Sequence, residues 1–392
     1  MKKGVVCIGM AGAGRATELH MHAYVRVSHV TVRFKTIFAR RQDQLEKAAE
    51  LYGFEKITYD YQEMLDDEEI DVIDICTPPY LHEEMIIRAL KAGKHVICEK
   101  PLTGYFGDPE SDELVGNKVS RSVMYESLMQ TLERIREAVR STDRKFMYAE
   151  NFVYAPAVVK AAEIVKARKS KILFIRGEES LKGSSSAVAG YWNKNGGGTL
   201  IRTGTHPLSA ALWLKMQEAE ARSEDIHPVS VMAEVGVFTK QLTEEEHRHI
   251  LADPVDVEDN GTAIVSFSDD SKALIIANDA CLGGSMNYVE LYCNDSHLNC
   301  RLTMNDAMTT YLPDEKGMED VYLSEMLPIK TGWNYPFVSD EMLRGYYDEI
   351  QDFMEAVCFD RSSRSGFDLA YETMRVLYAA YKSSEEGRRV ML

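Results

Sequence analysis

Hydrophobic and polar positions follow two rhythms along residues 1–151. Compact apolar runs at 5–8, 30–39, 72–76, 95–98 and 145–149 alternate with stretches near 16–27, 42–51, 81–90 and 124–139 whose apolar residues recur at helical spacing. Short apolar runs between helical stretches predict buried parallel strands joined by crossover helices. Gly53 closes the second helix as a C-cap. The clearest unit is 71–102, DVIDICTPPYLHEEMIIRALKAGKHVICEKPL. Its two strands end in polar, loop-forming clusters, Thr77-Pro78-Pro79 and Glu99-Lys100-Pro101. Ligands of open α/β sheets sit at the carboxyl ends of the strands. Thr77, His82, Glu99 and Lys100 are therefore expected to face one crevice, joined by Asn151 just past the last strand.

Residues 104–122 are polar, Gly-containing and unperiodic, which predicts an exposed insertion. From about residue 152 the rhythm changes. A helix at 156–167 precedes β-rich runs at 172–179, 229–238, 261–267, 272–277, 288–293 and 298–303. One helix interrupts them at about 207–215, and two amphipathic helices follow at 341–358 and 366–382. Few helices separate the later strands, so the sheet should be largely antiparallel. With one covering layer, its other face must be hidden. That predicts a homodimer or homotetramer built through this sheet.

The formal net charge of −17 argues against nucleic acid and anionic membrane surfaces as partners. Seven cysteines stand singly with no CxxC, which points to reduced thiols and a cytoplasmic location. No apolar run approaches transmembrane length, and MKKGVVCIGM reads as a strand rather than a leader. No metal site is expected: histidines and cysteines do not cluster, and His247-x-His249 lies on an acidic, solvated helix.

The turn after the first strand reads Gly12-Ala13-Gly14-Arg15-Ala16 and opens a helix. Glycines there let backbone N–H groups approach a pyrophosphate at the helix N-terminus. The third fingerprint position is Thr17 rather than Gly or Ala. The fold class is therefore α/β: an N-terminal Rossmann dinucleotide-binding domain over 1–151, and a C-terminal α/β domain with an open sheet over 152–392. The place of the ribose-binding carboxylate is Ala39, followed by Arg40 and Arg41. Guanidinium groups there suit a 2′-phosphate, so NADP is expected to bind at least as well as NAD. In WNKNGGGTLIRTGTHPLSAAL, from Trp192, the glycines 196–198 form a flexible turn and His206-Pro207 opens a helix with Pro at its first position. A helix N-terminus favours a neutral imidazole able to accept a proton. Lys100, Trp192, Arg202 and His206 are the candidate substrate contacts.

These pieces together resemble the family of glucose–fructose oxidoreductase, inositol dehydrogenase and the rhizopine catabolism protein. The carriers are Gly12-x-Gly14 with His20, Thr77-Pro78 with His82, Ala92-Gly93-Lys94-His95-Val96, Glu99-Lys100-Pro101, and Gly196 through Gly204-x-His206. The resemblance spans nearly the whole chain. It implies bound NAD or NADP and hydride transfer to or from a hydroxyl or carbonyl carbon of a sugar, sugar acid or cyclitol. It makes Lys100 the group that binds and polarises the substrate hydroxyl, and His206 the general acid/base. Relatives commonly carry aspartates four residues before and three after that histidine; here these positions are Arg202 and Ser209. Arg202 then needs an anionic partner, either an internal carboxylate or the carboxylate of a sugar acid. Two other readings fit the same fold: a glycosidase using NAD for transient oxidation, and a catalytically silent cofactor-binding regulator.

Overall fold

A computed structural model describes residues 4–108, 111, 113–303, 310–312, 331–334 and 341–392. The first sheet comprises β1 (Val5–Ala11), β2 (Thr31–Phe38), β3 (Lys56–Thr58), β4 (Val72–Ile75), β5 (His95–Glu99) and β6 (Phe146–Ala149). Their order is β3-β2-β1-β4-β5-β6, and every pair is parallel. Chain direction across the sheet reverses between β1 and β4, which opens a crevice at their carboxyl ends. Helices α1 (Arg15–Tyr24), α2 (Gln42–Tyr52), α3 (Tyr61–Asp66), α4 (His82–Lys91), α5 (Val115–Lys118) and α6 (Arg121–Arg140) accompany it.

The 104–122 stretch corrects the expectation of an exposed insertion. Gly104, Phe106, Val115 and Gly116 are buried, although 109, 110 and 112 lie outside the described residues. Its few apolar side chains and its backbone are used by the second half of the chain. Trp192 Nε1 donates to the Tyr105 carbonyl at 3.0 Å. The Tyr105 N–H donates to the Tyr378 hydroxyl at 2.6 Å. A Cβ on Gly104 would lie 2.7 Å from that hydroxyl, so only glycine fits beneath it.

The second half contributes α7 (Pro156–Arg168), β7 (Ile172–Ser180), α8 (Trp192–Asn195), α9 (Thr199–Arg202), α10 (Thr205–Arg222), β8 (Pro228–Gly236), α11 (Glu244–His247), β9 (Asn260–Phe267), β10 (Lys272–Asn278), β11 (Met286–Cys293) and β12 (His297–Arg301). A separate ribbon pairs β13 (Thr310–Leu312) with β14 (Gly332–Asn334). Then come α12 (Glu341–Arg344), α13 (Tyr346–Cys358), α14 (Phe367–Glu386) and β15 (Val390–Met391). The sheet order is β12-β11-β7-β10-β9-β8-β15. All its pairs are antiparallel except β7–β10, which is parallel. That one parallel pair brings the carboxyl ends of β7 and β10 side by side, with Ser180 opposite Asn278.

α10 and α14 cover one face of this sheet. On the other, Met232, Ile264, Leu274, Arg176 and Glu290 stand in register, and Met232 and Ile264 are exposed. The late helices return to the first sheet: α13 packs on α1 and β1, and α14 on α6 and β6. Among the described residues, no helix is long and apolar enough to cross a membrane.

Candidate active site

Gly12 has φ +122, and a Cβ there would meet the Cys76 carbonyl oxygen at 2.5 Å. Only glycine makes that turn, and it brings the start of α1 to the crevice. Gly14 caps α1 without a side chain, and its Cβ direction is open space. The first N–H groups of α1 are thus approachable by an anion, which fits a dinucleotide pyrophosphate. Ala13 and Ala16 pack against the core. The Arg15 guanidinium pairs with Glu18 at 2.7 Å, so what this position offers the crevice is its backbone. Of the two arginines after β2, Arg40 reaches the Tyr80 hydroxyl at 2.8 Å, over the Thr77-Pro78-Pro79 loop. Arg41 turns to Asp43 at 3.8 Å.

The ends of β4 and β5 are held by buried clasps, and several side chains expected in the crevice turn out to be these clasps. His82 is fully buried, with Nε2 2.9 Å from the Thr77 carbonyl and Nδ1 3.0 Å from that of Pro101. It ties the two strand-end loops together instead of meeting a ligand. Burial, partly offset by those carbonyls, pushes its pKa below the ordinary value. The Thr77 hydroxyl faces Met85 Sδ at 3.4 Å. The Glu99 carboxylate is also turned inward: Oε2 accepts from the Lys100 N–H at 2.9 Å, and Oε1 lies 3.3 Å from His20 Nε2. Burial would raise the Glu99 carboxyl, but His20 and Lys100 hold it below the usual value. On its other side His20 Nδ1 meets Asp74 at 2.9 Å, and Asp74 also accepts from the Tyr24 hydroxyl at 2.9 Å. Burial opposes charge on His20, yet Asp74 overrides it and holds the imidazole protonated well above its ordinary range. Among the described residues His20, Asp74 and Cys76 are the group whose ligand atoms lie within 4.8 Å of one another. They hydrogen-bond among themselves, and burial pushes the Cys76 thiol up to about 12.

Two further expectations are corrected. Asn151 is buried, with Nδ2 donating to the Arg344 carbonyl at 2.9 Å, which pins the end of α12. Trp192 is 1% exposed, under Arg121 at 3.9 Å and against Tyr381 at 4.9 Å. Its bulk holds the 104–106 strap, and no face is left for a substrate.

Lys100 reaches the segment that leads to His206. The Lys100 ammonium crosses from the first sheet to donate to the Arg202 carbonyl at 2.7 Å, four residues before His206. α10 begins at Thr205, so Pro207 is its third residue rather than its first, and His206 still lies in the first turn. The triple glycine is packed, not flexible: a Cβ on Gly198 would collide with the Glu258 backbone, and Glu258 accepts from the N–H groups of Gly198 and Leu200 and from the Tyr381 hydroxyl. The His206 ring stacks on Phe152, centroids 4.8 Å apart and planes at 20°. Its Nδ1 lies 2.7 Å from Glu150 Oε1, and its Nε2 lies 3.8 Å from Glu179 Oε2.

The partner of Arg202 is internal. Its guanidinium pairs with Asp279, which is buried and also accepts from the Thr199 hydroxyl at 3.2 Å. Burial, partly offset by Arg202, raises the Asp279 carboxyl. Arg202 and Asp279 line a cavity of about 430 Å³ with Ser184, Ser185, Ser186 and Tyr191. A second cavity of about 790 Å³ shares segment 253–258 with it, and neither of the two is lined by Lys100 or His206.

Glu150, Glu179 and Asp279 were missed from the sequence. Each stands at or just past the carboxyl end of a strand, β6, β7 and β10. The strand-end rule that singled out Lys100 points to all three once β7 and β10 are known to be parallel.

Comparison with known proteins agrees with this architecture. Residues 6–112 match the model of an oxidoreductase family with an NAD-binding Rossmann fold, and residues 175–392 match its C-terminal alpha/beta domain. The chain is 25% identical over 399 residues to levoglucosan dehydrogenase of Pseudarthrobacter phenanthrenivorans, covering 96% of this chain and 95% of that one. Over 96 residues it is 33% identical to myo-inositol 2-dehydrogenase of Thermotoga maritima, covering 24% and 28%. Among solved structures, GenD2 from gentamicin A biosynthesis in complex with NAD superposes with a TM-score of 0.78 at 20% identity, over 99% of this chain and 96% of that one. Levoglucosan dehydrogenase in complex with NADH and levoglucosan gives 0.72 at 21%, over 99% of each.

Proposed function

The chain belongs to the oxidoreductase family that joins an NAD-binding Rossmann fold to a C-terminal alpha/beta domain, and from that premise we propose that it is a dehydrogenase or reductase of neutral sugars or cyclitols. The observation that carries this is Lys100 meeting the Arg202 backbone four residues before His206, which links a cation of the first half of the chain to the segment of the second half that bears the proton carrier. The α1 N-terminus with Gly12 and Gly14 would hold the pyrophosphate, and Arg40 the adenosine ribose end. When bound, the nicotinamide supplies the hydride acceptor or donor. Lys100 donates a hydrogen bond to the substrate oxygen and favours its negative charge. His206 Nε2 exchanges the proton of that oxygen. The 3.8 Å between Nε2 and Glu179 is too long for a hydrogen bond, so Nε2 is not committed to that carboxylate.

Neutrality of the substrate is argued from charge. Arg202 is paired with Asp279, and Glu150 and Glu179 each keep a buried oxygen without a partner. Carboxylates so placed would repel a substrate carboxylate and not a neutral hydroxyl compound. The similarity to levoglucosan and myo-inositol dehydrogenases supports the same class. A panel of sugars, cyclitols and sugar acids, followed at the nicotinamide absorbance, tests it. Turnover of neutral compounds is expected, and turnover of acids alone would reverse the assignment.

The same reading divides the chain into a cofactor domain, 1–151, and a substrate domain, 152–392. The exposed Met232 and Ile264 support a homodimer or homotetramer closed through the open sheet face, which light scattering measures. Seven free thiols support a reducing, cytoplasmic location.

A further inference from the structure

His206 is gripped by groups from both sheets. Phe152 fixes the plane of its ring, and Glu150, at the end of β6, fixes its rotation through Nδ1. Glu150 is fully buried. Besides His206, the partner of its Oε1 is the Phe152 N–H at 3.3 Å, and its Oε2 has none. A carboxylate held this way is costly unless its charge is used. We propose that Glu150 is the positioning residue of the reaction: it keeps the proton of neutral His206 on Nδ1, leaves Nε2 bare toward the substrate, and stabilises the imidazolium that forms there.

This rests on the reading of His206 as the proton carrier and deepens it. In the oxidising direction the substrate O–H bond breaks as an N–H bond forms at Nε2, while the hydride leaves carbon for the nicotinamide. Positive charge then appears on a ring whose far nitrogen is 2.7 Å from Glu150. Among the described residues no other neighbour of the ring can do this work. Glu179 stands 3.8 Å away on the wrong nitrogen. Arg202 has the wrong sign and is held by Asp279. Glu99 is turned to His20 and the Lys100 N–H. On the α13 side the titratable groups are Tyr346 and Glu349, and burial holds both in their neutral forms by raising their pKa values. Lys100, across the crevice, opposes the imidazolium and makes a compensating carboxylate more necessary.

Glu150→Gln removes the charge and nearly keeps the shape. It should lower kcat by about 10²-fold, the scale of a lost proton-transfer contribution, with KM changed less than about threefold. The acid limb of the kcat/KM profile should move down by about one pH unit, because a weaker base stays unprotonated at lower pH. Glu150→Asp should recover part of both effects. A readout without turnover is the 15N spectrum of the histidines in the cofactor-bound protein: His206 should carry its proton on Nδ1 in the wild type and show mixed tautomers in Glu150→Gln. A proton on Nε2 in the wild type overturns the proposal, as does a Glu150→Gln enzyme with unchanged kcat and an unmoved acid limb. If the Gln variant does not fold, the wild-type spectrum and the Asp variant decide. Failure of the substrate panel with the Nδ1 tautomer intact would count against the function and not against the role of Glu150.

Discussion

His20 and His206 have matching neighbours and different work. Each holds a carboxylate on Nδ1, Asp74 at 2.9 Å and Glu150 at 2.7 Å. Each faces a second carboxylate from Nε2, Glu99 at 3.3 Å and Glu179 at 3.8 Å. The difference is access and gap. His20 is 0% exposed and its second carboxylate is close, so its proton has nowhere to go. It is a clamp that joins α1 to the ends of β4 and β5. His206 is 5% exposed, and its second carboxylate lies beyond hydrogen-bond distance of Nε2. On the function proposed above, one side-chain grammar gives a structural cation at His20 and a proton carrier at His206.

Breaking each histidine should therefore break a different property. His206→Ala is expected to cut kcat by about 10³-fold and to leave the melting temperature within a few degrees; an equal loss of stability would erase the distinction. His20→Ala removes the cation between Asp74 and Glu99. Losing one partner of a buried pair costs about 3–5 kcal/mol, read from urea unfolding, while kcat of the folded enzyme should fall by no more than about tenfold. A fully stable, inactive His20→Ala would show that the clamp works in the chemistry instead.

Stability against pH sharpens the contrast further. The folded pKa of His20 is raised above its unfolded value, so its contribution is complete below about pH 6.5 and is lost as pH rises through the folded pKa. His95 is the reverse case. Burial takes it down to about 4, so its contribution is lost as pH falls from about 6.5 toward that value. Urea midpoints should decline on both sides, and His20→Gln should flatten the alkaline decline alone. The smallest expected effect leaves both histidines untouched: Arg40→Ala should weaken NADP binding about tenfold, the scale of one charge-assisted contact, and spare NAD. Equal weakening of both cofactors would assign Arg40 to the Tyr80 contact only.

The sheet scaffold was readable because buried parallel strands are continuous apolar runs. β3 and α3 were not: Lys56-Ile57-Thr58 is too short to show a period, and α3 is a helix of 6 residues. Lys100 and His206 were found because they end motifs. His82, Glu99 and Asn151 were placed in the crevice from their positions near strand ends and are clasps, because sequence position tells which end of a strand a residue occupies but not which way its side chain turns. Glu150 and Asp279 escaped for a related reason. The role of each depends on a partner 56 or 77 residues away, which no local pattern reveals.

Two tyrosines of α14 carry a consequence for how the protein is made. The Tyr378 hydroxyl accepts from the Tyr105 N–H, 273 residues earlier, and donates to the Gly196 carbonyl, 182 residues earlier. Tyr381 locks Glu258, which in turn holds the backbone leading to Arg202 and His206. The crevice wall is therefore keyed by a helix that leaves the ribosome long after every group it positions. Contacts so distant in sequence form late and slowly. Until α14 docks, the strap at Tyr105 and the backbone that leads to Arg202 and His206 lack their locks, so a chain cut short before α14 is expected to lose turnover, which an activity assay of the truncated protein checks.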